Sequence, residues 1–289
     1  MKTLKAVLRE VRKNKIAVGH FNVSDLSLLK AVFESVKELN VPVIIGTSEG
    51  EAGFLGRGQA AALIKSLRKE YDFPIFLNSD HTHSLEEVKK AVAAGYDAIL
   101  FDGGTLPLEE NIRQTKEVVD YVKSVSPKII VEGELGNIGS GSVIRKELPP
   151  GAAISPEDLT KPEDALRFVK ETGVDMLAPA VGNLHGMFAN APEPALNIER
   201  IKAIKKVVKI PLVLHGGSGN TDADFLAAIG AGINIIHIST ELRAAWRRGL
   251  ETALKEKPEE IAPYKLLSGS ITAVKEVVRK RLQLFNKLI

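Results

Sequence analysis

Eight short β-branched runs separated by segments of helical period predict an α/β fold, a (β/α)8 TIM barrel with an extra C-terminal helix, spanning residues 1–289 as a single domain. Three observations carry this expectation. Strand and helix alternate eight times over about 240 residues, the usual extent of such a barrel. All six histidines sit at or just beyond the C-terminal end of an apolar run, in AVGHF, PIFLNSDHTH, MLAPAVGNLH, PLVLH and INIIH. No composition break or low-complexity stretch marks a second domain. A doubly wound open sheet is the competing architecture.

In chain order the expected strands are 17–21, 42–47, 74–78, 98–101, 128–135, 175–180, 211–215 and 233–238. Each is short and rich in Val, Ile, Leu and Phe, as parallel strands buried on both faces should be. Between them, helical spacing places helices at Leu26–Leu39, Gly58–Tyr71, Leu85–Ala94, Leu108–Val125, Ala165–Thr172, Ile198–Val208 and Ala223–Ile229, and a further helix begins near Ser239. Ser84 to Glu87 and Thr160 to Glu163 each read as a capping box. Gly95, Gly173 and Gly230 read as helix stops. Residues 136–161 form a long Gly- and Pro-rich loop, of the kind that is usually functional or mobile. Leu267–Ile289 reads as an amphipathic helix that either caps the barrel or packs on another subunit, and a homodimer or homotetramer is expected.

Composition narrows the function. The 39 basic and 36 acidic residues nearly cancel, which argues against nucleic acid or membrane as the main partner. The absence of cysteine excludes disulfides and thiolate metal sites. No secretory leader or membrane span is read, and a cytoplasmic protein is expected.

The strand ends carry Asn22, Ser48, Asp80 with His81, Asp102, Glu134, His185, His215, and His237 with Ser239. A single histidine is more often a hydrogen-bonded core residue than a ligand. His81, His185 and His215 together suit a divalent transition metal, with Zn²⁺ favoured and Co²⁺, Mn²⁺ or Fe²⁺ also compatible. HGGSG at 215–219 and the helix start after INIIHIST form the phosphate site expected after the last two strands. Asp80 either orients His81 or exchanges a proton with substrate. Ser84 already serves as the local helix cap.

The motifs DH at 80–81, VEGELG at 131–136, GNLHG at 182–186, LHGGSG at 214–219 and ISTEL at 238–242 together resemble the class II, metal-dependent ketose-bisphosphate aldolases. The resemblance runs from GHFNVSDL and GTSEGEAGFLG to KEVVRKRLQLF. It implies reversible cleavage of a ketose bisphosphate, foremost fructose 1,6-bisphosphate, to dihydroxyacetone phosphate and an aldehyde, in glycolysis or gluconeogenesis. A related phosphorylated ketose and a weakly catalytic sugar-phosphate-binding barrel are the alternatives. It implies that His81, His185 and His215 hold one catalytic Zn²⁺, and that Asp102 and Glu134 serve a second or alternative metal position, divalent or monovalent. It implies that Asp80 exchanges the proton. Ser48, Gly186, Gly216, Gly217, Ser218, His237, Ile238, Ser239 and Thr240 would hold the small phosphorylated sugar.

The chain also departs from that family. Asn78-Ser79-Asp80-His81 stands for HxDH, and Ser142 occupies the place of a loop glutamate. Ala189 replaces a lysine near the phosphate, His237 an asparagine, and Tyr264 an arginine that meets the distal phosphate. His20 and His237 are candidates to compensate as imidazolium or base. Arg57, Arg145 and Lys265 are candidates to rebuild the distal site.

Overall fold

The computed structural model describes residues 2–139, 141–146, 155–189 and 193–288. Of the loop expected at 136–161, residues 140 and 147–154 lie outside that set. The eight expected strands are β1 (Val18–Asn22), β2 (Val43–Ser48), β3 (Ile75–Thr82), β4 (Ala98–Phe101), β5 (Ile130–Leu135), β7 (Met176–Pro179), β9 (Leu212–Leu214) and β10 (Ile233–Ile238). They close a parallel barrel in the order β1-β10-β9-β7-β5-β4-β3-β2. Two further strands, β6 (Ile144–Arg145) and β8 (Met187–Phe188), pair with each other outside it, and two residues each left no periodicity to read.

The helices are α1 (Leu4–Asn14), α2 (Leu26–Leu39), α3 (Glu49–Leu55), α4 (Arg57–Tyr71), α5 (Leu85–Ala94), α6 (Leu108–Val125), α7 (Pro162–Thr172), α8 (Ile198–Val207), α9 (Asp222–Ala231), α10 (Thr240–Glu256) and α11 (Pro263–Phe285). Among the described residues none is long and apolar enough to cross a membrane. The C-terminal helix starts earlier than its apolar spacing suggested, at Pro263, and packs mainly on this chain's own α10 and α2. Lys275 ties it to Glu34 and Glu38 of α2.

Three local expectations are corrected. Thr160 does not cap α7; its hydroxyl donates to the Leu135 carbonyl at 2.5 Å and accepts from Ala180 N at 2.9 Å, stitching β5 to the end of β7. Ser84 caps α5 through Glu87 N, but the reciprocal half of the box is missing, because Glu87 turns to Arg57 and Lys90. Helix α9 runs through Gly230 and stops at Gly232, whose φ of 124° no β-carbon-bearing residue takes readily. Two helices went unassigned from sequence. One is α3, opened by a Ser48–Glu51 capping box. The other is α1, whose Leu4, Val7, Leu8 and Val11 have the spacing of one buried face.

That face explains why α1 exists. Leu4, Val7, Leu8 and Val11 pack against Val18, Ile44, Phe76, Ile130, Met176, Val213 and Ile235, the first inward-facing residues of the barrel strands. Each such burial stabilises by roughly 1.5–3 kcal/mol, and together they plug the N-terminal end. Side chains alternate along a strand, so the next inward residue lies two further on. On five of the eight strands that step converts the lining from apolar to polar, giving His20, Asn78, Glu132, His215 and His237. One step more gives Asn22, Ser48, Asp80, Asp102, Glu134 and Ser239. The plugged floor and the polar upper layers leave one open end, the C-terminal one.

Gly46 belongs to the same layer as His20 and has no room for a side chain. A β-carbon there would lie 2.1 Å from Cε1 of His20. We expect Gly46→Ala to destabilise by about 1–3 kcal/mol through overpacking, read as a shift in the urea midpoint. His20→Ala should relieve most of that cost, since the two sites are in contact. Additive effects would show that His20 is not what fills the space.

Candidate active site

The open end holds a cavity of about 610 Å³. Asp80 and His81 are consecutive, so an ordinary strand would send them to opposite faces. The β3–β4 register shifts between Ser79 and Thr82, and His81 takes φ of 50°, a left-handed value that is costly for a non-glycine residue. This bulge turns both side chains into the cavity.

His81, His185 and His215 come together. Their ring planes cross at 76°, 75° and 59°, with centroids 4.6 to 5.7 Å apart. Nδ1–H of His81 donates to Asp102 Oδ2 at 2.8 Å, and Nε2–H of His215 donates to Glu132 Oε1 at 2.8 Å. These bonds turn His81 Nε2 and His215 Nδ1 toward each other, 3.2 Å apart. Nε2 of His185 is buried without a partner, as is Oε2 of Glu134. Donor atoms of the three histidines and Glu134 all lie within 4.8 Å of one another; Asp102 stands behind His81 and is not in that group.

The charges fit a cation. Burial alone would lower the His81 pKa, but Asp80, Asp102 and Glu134 outweigh it and hold it up at about 10. Glu134 is pushed well above the carboxylate range by burial and by the charge on Asp102. Burial, with His81 and His215 beside it, holds His185 neutral. The same excess of negative charge that protonates an imidazole would stabilise a dication, and the charge of that dication would in turn ionise Glu134.

His20 and His237 stack at 3.4 Å with planes 4° apart. In-plane lone pairs of parallel rings cannot converge on one ion, so the grouping of His20, Asp80 and His237 is a packing unit rather than a second metal site. His20 is fully buried and is not on the cavity wall, and burial lowers its pKa to about 4. Burial also keeps His237 well below its ordinary value. Neither is an imidazolium near neutral pH, which corrects the expectation that they offer a cation to phosphate. Asp80 is held well below the carboxylate range, chiefly because the charge on neighbouring His81 outweighs the cost of burial. Asn22 Nδ2 donates to Asp80 Oδ2 at 2.8 Å and to Glu51 Oε2 at 2.9 Å. Asp80 Oδ1 is left without a partner, 3.4 Å from His237 Nδ1.

Gly186, Gly216, Ser218, Ser239 and Thr240 line the side of the cavity at the start of α10, while Ser48 lines the wall under α3. Ser218 Oγ accepts from the backbone of Ser239 and Glu241, which leaves its own hydrogen available. Ser239 Oγ is buried and unpartnered. Gly217 and Ile238 are not on the wall. Gly217 N donates to the His237 carbonyl at 3.2 Å, and Ile238 packs in the core outside the barrel. Arg145 reaches over Gly186 and donates Nε to the His185 carbonyl at 2.9 Å. Sequence reasoning passed over Glu51, Glu132 and Arg243. Glu132 is two residues before Glu134 on one strand face, a signal that was present; Glu51 and Arg243 carried none.

A closed parallel barrel with clustered imidazoles and carboxylates at its C-terminal mouth defines a candidate metal-dependent enzyme. The model of the family described as fructose-bisphosphate aldolase class II matches residues 2–288, and the chain belongs to that family. Among solved structures it is similar to the YdjI aldolase of Escherichia coli K12, with 31% identity and a TM-score of 0.81 over 99% of this chain and 97% of that one. A putative fructose-1,6-bisphosphate aldolase from Coccidioides immitis, 24% identical, gives 0.80 over 99% and 98%. The fructose-bisphosphate aldolase of Campylobacter jejuni, 21% identical, gives 0.80 over 98% and 94%. The last two likenesses speak to fold.

Two outcomes follow. His185→Ala should retain well under half of the divalent metal bound by the parent after mild dialysis, measured by elemental analysis, because three protein ligands are the norm for a catalytic site. Full retention would remove His185 from the ligand set. For His20, the folded pKa near 4 lies below the unfolded value near 6.5. The unfolded chain therefore takes the proton first, so the contribution is complete above pH 6.5 and is lost as pH falls toward 4. Its size is about 3 kcal/mol. Urea midpoints of chelated protein should fall less steeply for His20→Leu than for the parent over that window; parallel curves would show that His20 titrates normally.

Proposed function

We propose that the chain is a Zn²⁺-dependent aldolase that reversibly cleaves a ketose phosphorylated at C1, fructose 1,6-bisphosphate among them, into dihydroxyacetone phosphate and an aldehyde. The observation that carries this reading is the pairing of three converging imidazoles with an ionised aspartate that lines the same cavity and has one unpartnered oxygen. A divalent ion held by His81, His185 and His215, with Glu134 in reach, would supply polarisation of the substrate ketone.

The remaining roles belong to the chain itself. Asp102 and Glu132 fix the tautomers of His81 and His215. Asp80 Oδ1 accepts the proton of the hydroxyl beside the breaking carbon–carbon bond as that hydroxyl becomes the aldehyde, and returns it in condensation. Asn22 occupies the other Asp80 oxygen, so the proton has one destination. The C1 phosphate is received by backbone at Gly186 and Gly216, by the Ser218 and Ser239 hydroxyls, and by the N-terminus of α10 at Ser239 and Thr240. Arg145, beside Gly186, places a guanidinium near the region where relatives carry the lysine replaced here by Ala189.

Metal-loaded protein should release dihydroxyacetone phosphate from ketose 1-phosphates in a coupled assay. Asp80→Ala should keep its metal and lose turnover by about 10²-fold or more, the scale of a lost acid–base group. Loss of metal with turnover preserved would make Asp80 a ligand or a structural residue.

A further inference from the structure

We infer that the outer half of the cavity takes an uncharged, hydroxylated aldehyde, so that the preferred substrate carries its only phosphate at C1. This rests on the aldolase reading above and sharpens it.

Among the described residues that line the cavity, Arg243 is the only lysine or arginine, and the wall also carries the carboxylates of Glu49 and Glu51. The Arg243 guanidinium is already engaged. Nη2 donates to Glu51 Oε1 at 2.6 Å, and Nη1 reaches the Ser142 carbonyl at 3.3 Å. Glu51 is 7% exposed, and its other oxygen accepts from Asn22, from the Ser48 backbone and from the Ser48 hydroxyl. Drawing Arg243 away to clamp a phosphate would strand a buried carboxylate that also orients Asn22 and, through it, Asp80. A phosphate dianion would meet Glu49 on the same wall, with no second lysine or arginine among the described lining residues to offset it.

A neutral polyol meets neither obstacle. The guanidinium hydrogens not turned to Glu51 donate to hydroxyl oxygens, and Glu49 accepts hydroxyl hydrogens. The groups that could have rebuilt a phosphate clamp stand elsewhere. Arg57 is paired with Glu87 and Lys265 with Glu260 at 2.9 Å; Arg145 is bonded to the His185 carbonyl at the C1-phosphate end. Tyr264, at the place of the family arginine, is 75% exposed and not on the cavity wall.

The test compares kcat/KM of metal-loaded protein for fructose 1-phosphate and fructose 1,6-bisphosphate, and for glyceraldehyde against glyceraldehyde 3-phosphate in condensation with dihydroxyacetone phosphate. The unphosphorylated partner should be favoured by about threefold or more in both directions. Arg243→Gln should lower both substrates together, leaving their ratio within about threefold, because both are held through the same hydroxyls. Glu49→Gln should shift the ratio toward the bisphosphate by about threefold or more, as a repulsive charge is removed. A parent preference for the bisphosphate above about tenfold, or a selective loss of bisphosphate activity of about tenfold in Arg243→Gln, overturns the inference and leaves the aldolase reading standing. Failure of every ketose phosphate to yield dihydroxyacetone phosphate overturns both.

Discussion

Carboxylates standing behind imidazoles govern this site. Asp102 holds His81 by one ring nitrogen and Glu132 holds His215 by one, so the opposite nitrogens face each other across 3.2 Å. An imidazole free to choose its tautomer or rotate would not keep a lone pair on that point. The cost is a concentration of negative charge under the barrel mouth, which shows in the raised pKa of His81 and the raised pKa of Glu134. A site with that imbalance is satisfied by a cation, and among the described residues no lysine stands on the cavity wall to supply one.

The barrel makes this arrangement possible by dividing its interior. The first inward layer and α1 form an apolar plug, and the ionisable layers sit above it. Inward positions recur every second residue, so the change from Val18 to His20, Ile130 to Glu132, Val213 to His215 and Ile235 to His237 happens at one height around the barrel. Space is apportioned as tightly as charge. Gly46 is bare because the His20 ring lies against it, and His20 in turn packs flat on His237, whose Nδ1 faces Asp80.

A second line of contacts runs outward from Asp80 through Asn22 and Glu51 to Arg243. Two carboxylates compete for the Asn22 amide, and this fixes which end of the amide faces Asp80, since a carbonyl oxygen there would face two anions. The group that accepts a proton is thereby joined by hydrogen bonds to the groups at the mouth of the cavity. Specificity and proton transfer are consequently hard to alter independently on this wall.

The alternation of strand and helix, the eight strand positions and the convergence of His81, His185 and His215 were all legible in the sequence, because each depends on local period and on the topology that period implies. The spacing of Leu4, Val7, Leu8 and Val11 was equally legible, though no element was assigned there. Other features were not local. The Thr160 capping box gave way to a bond with Leu135, because the Thr160 hydroxyl is itself buried between Leu135 and Ala180 and must find its partners there. The inward turn of His81 depends on a register shift against β4. The neutrality of His20 and His237 follows from burial, which the sequence does not state. Glu51, Arg243 and Asn22 are far apart along the chain and belong to helix starts and a strand end; only closure of β1, β2 and β10 into one wall brings them to the same carboxylate. Sequence determined which elements form and which end of the barrel is chemical. The closed barrel decided which charges face one another, because that depends on distances across it and not along the chain.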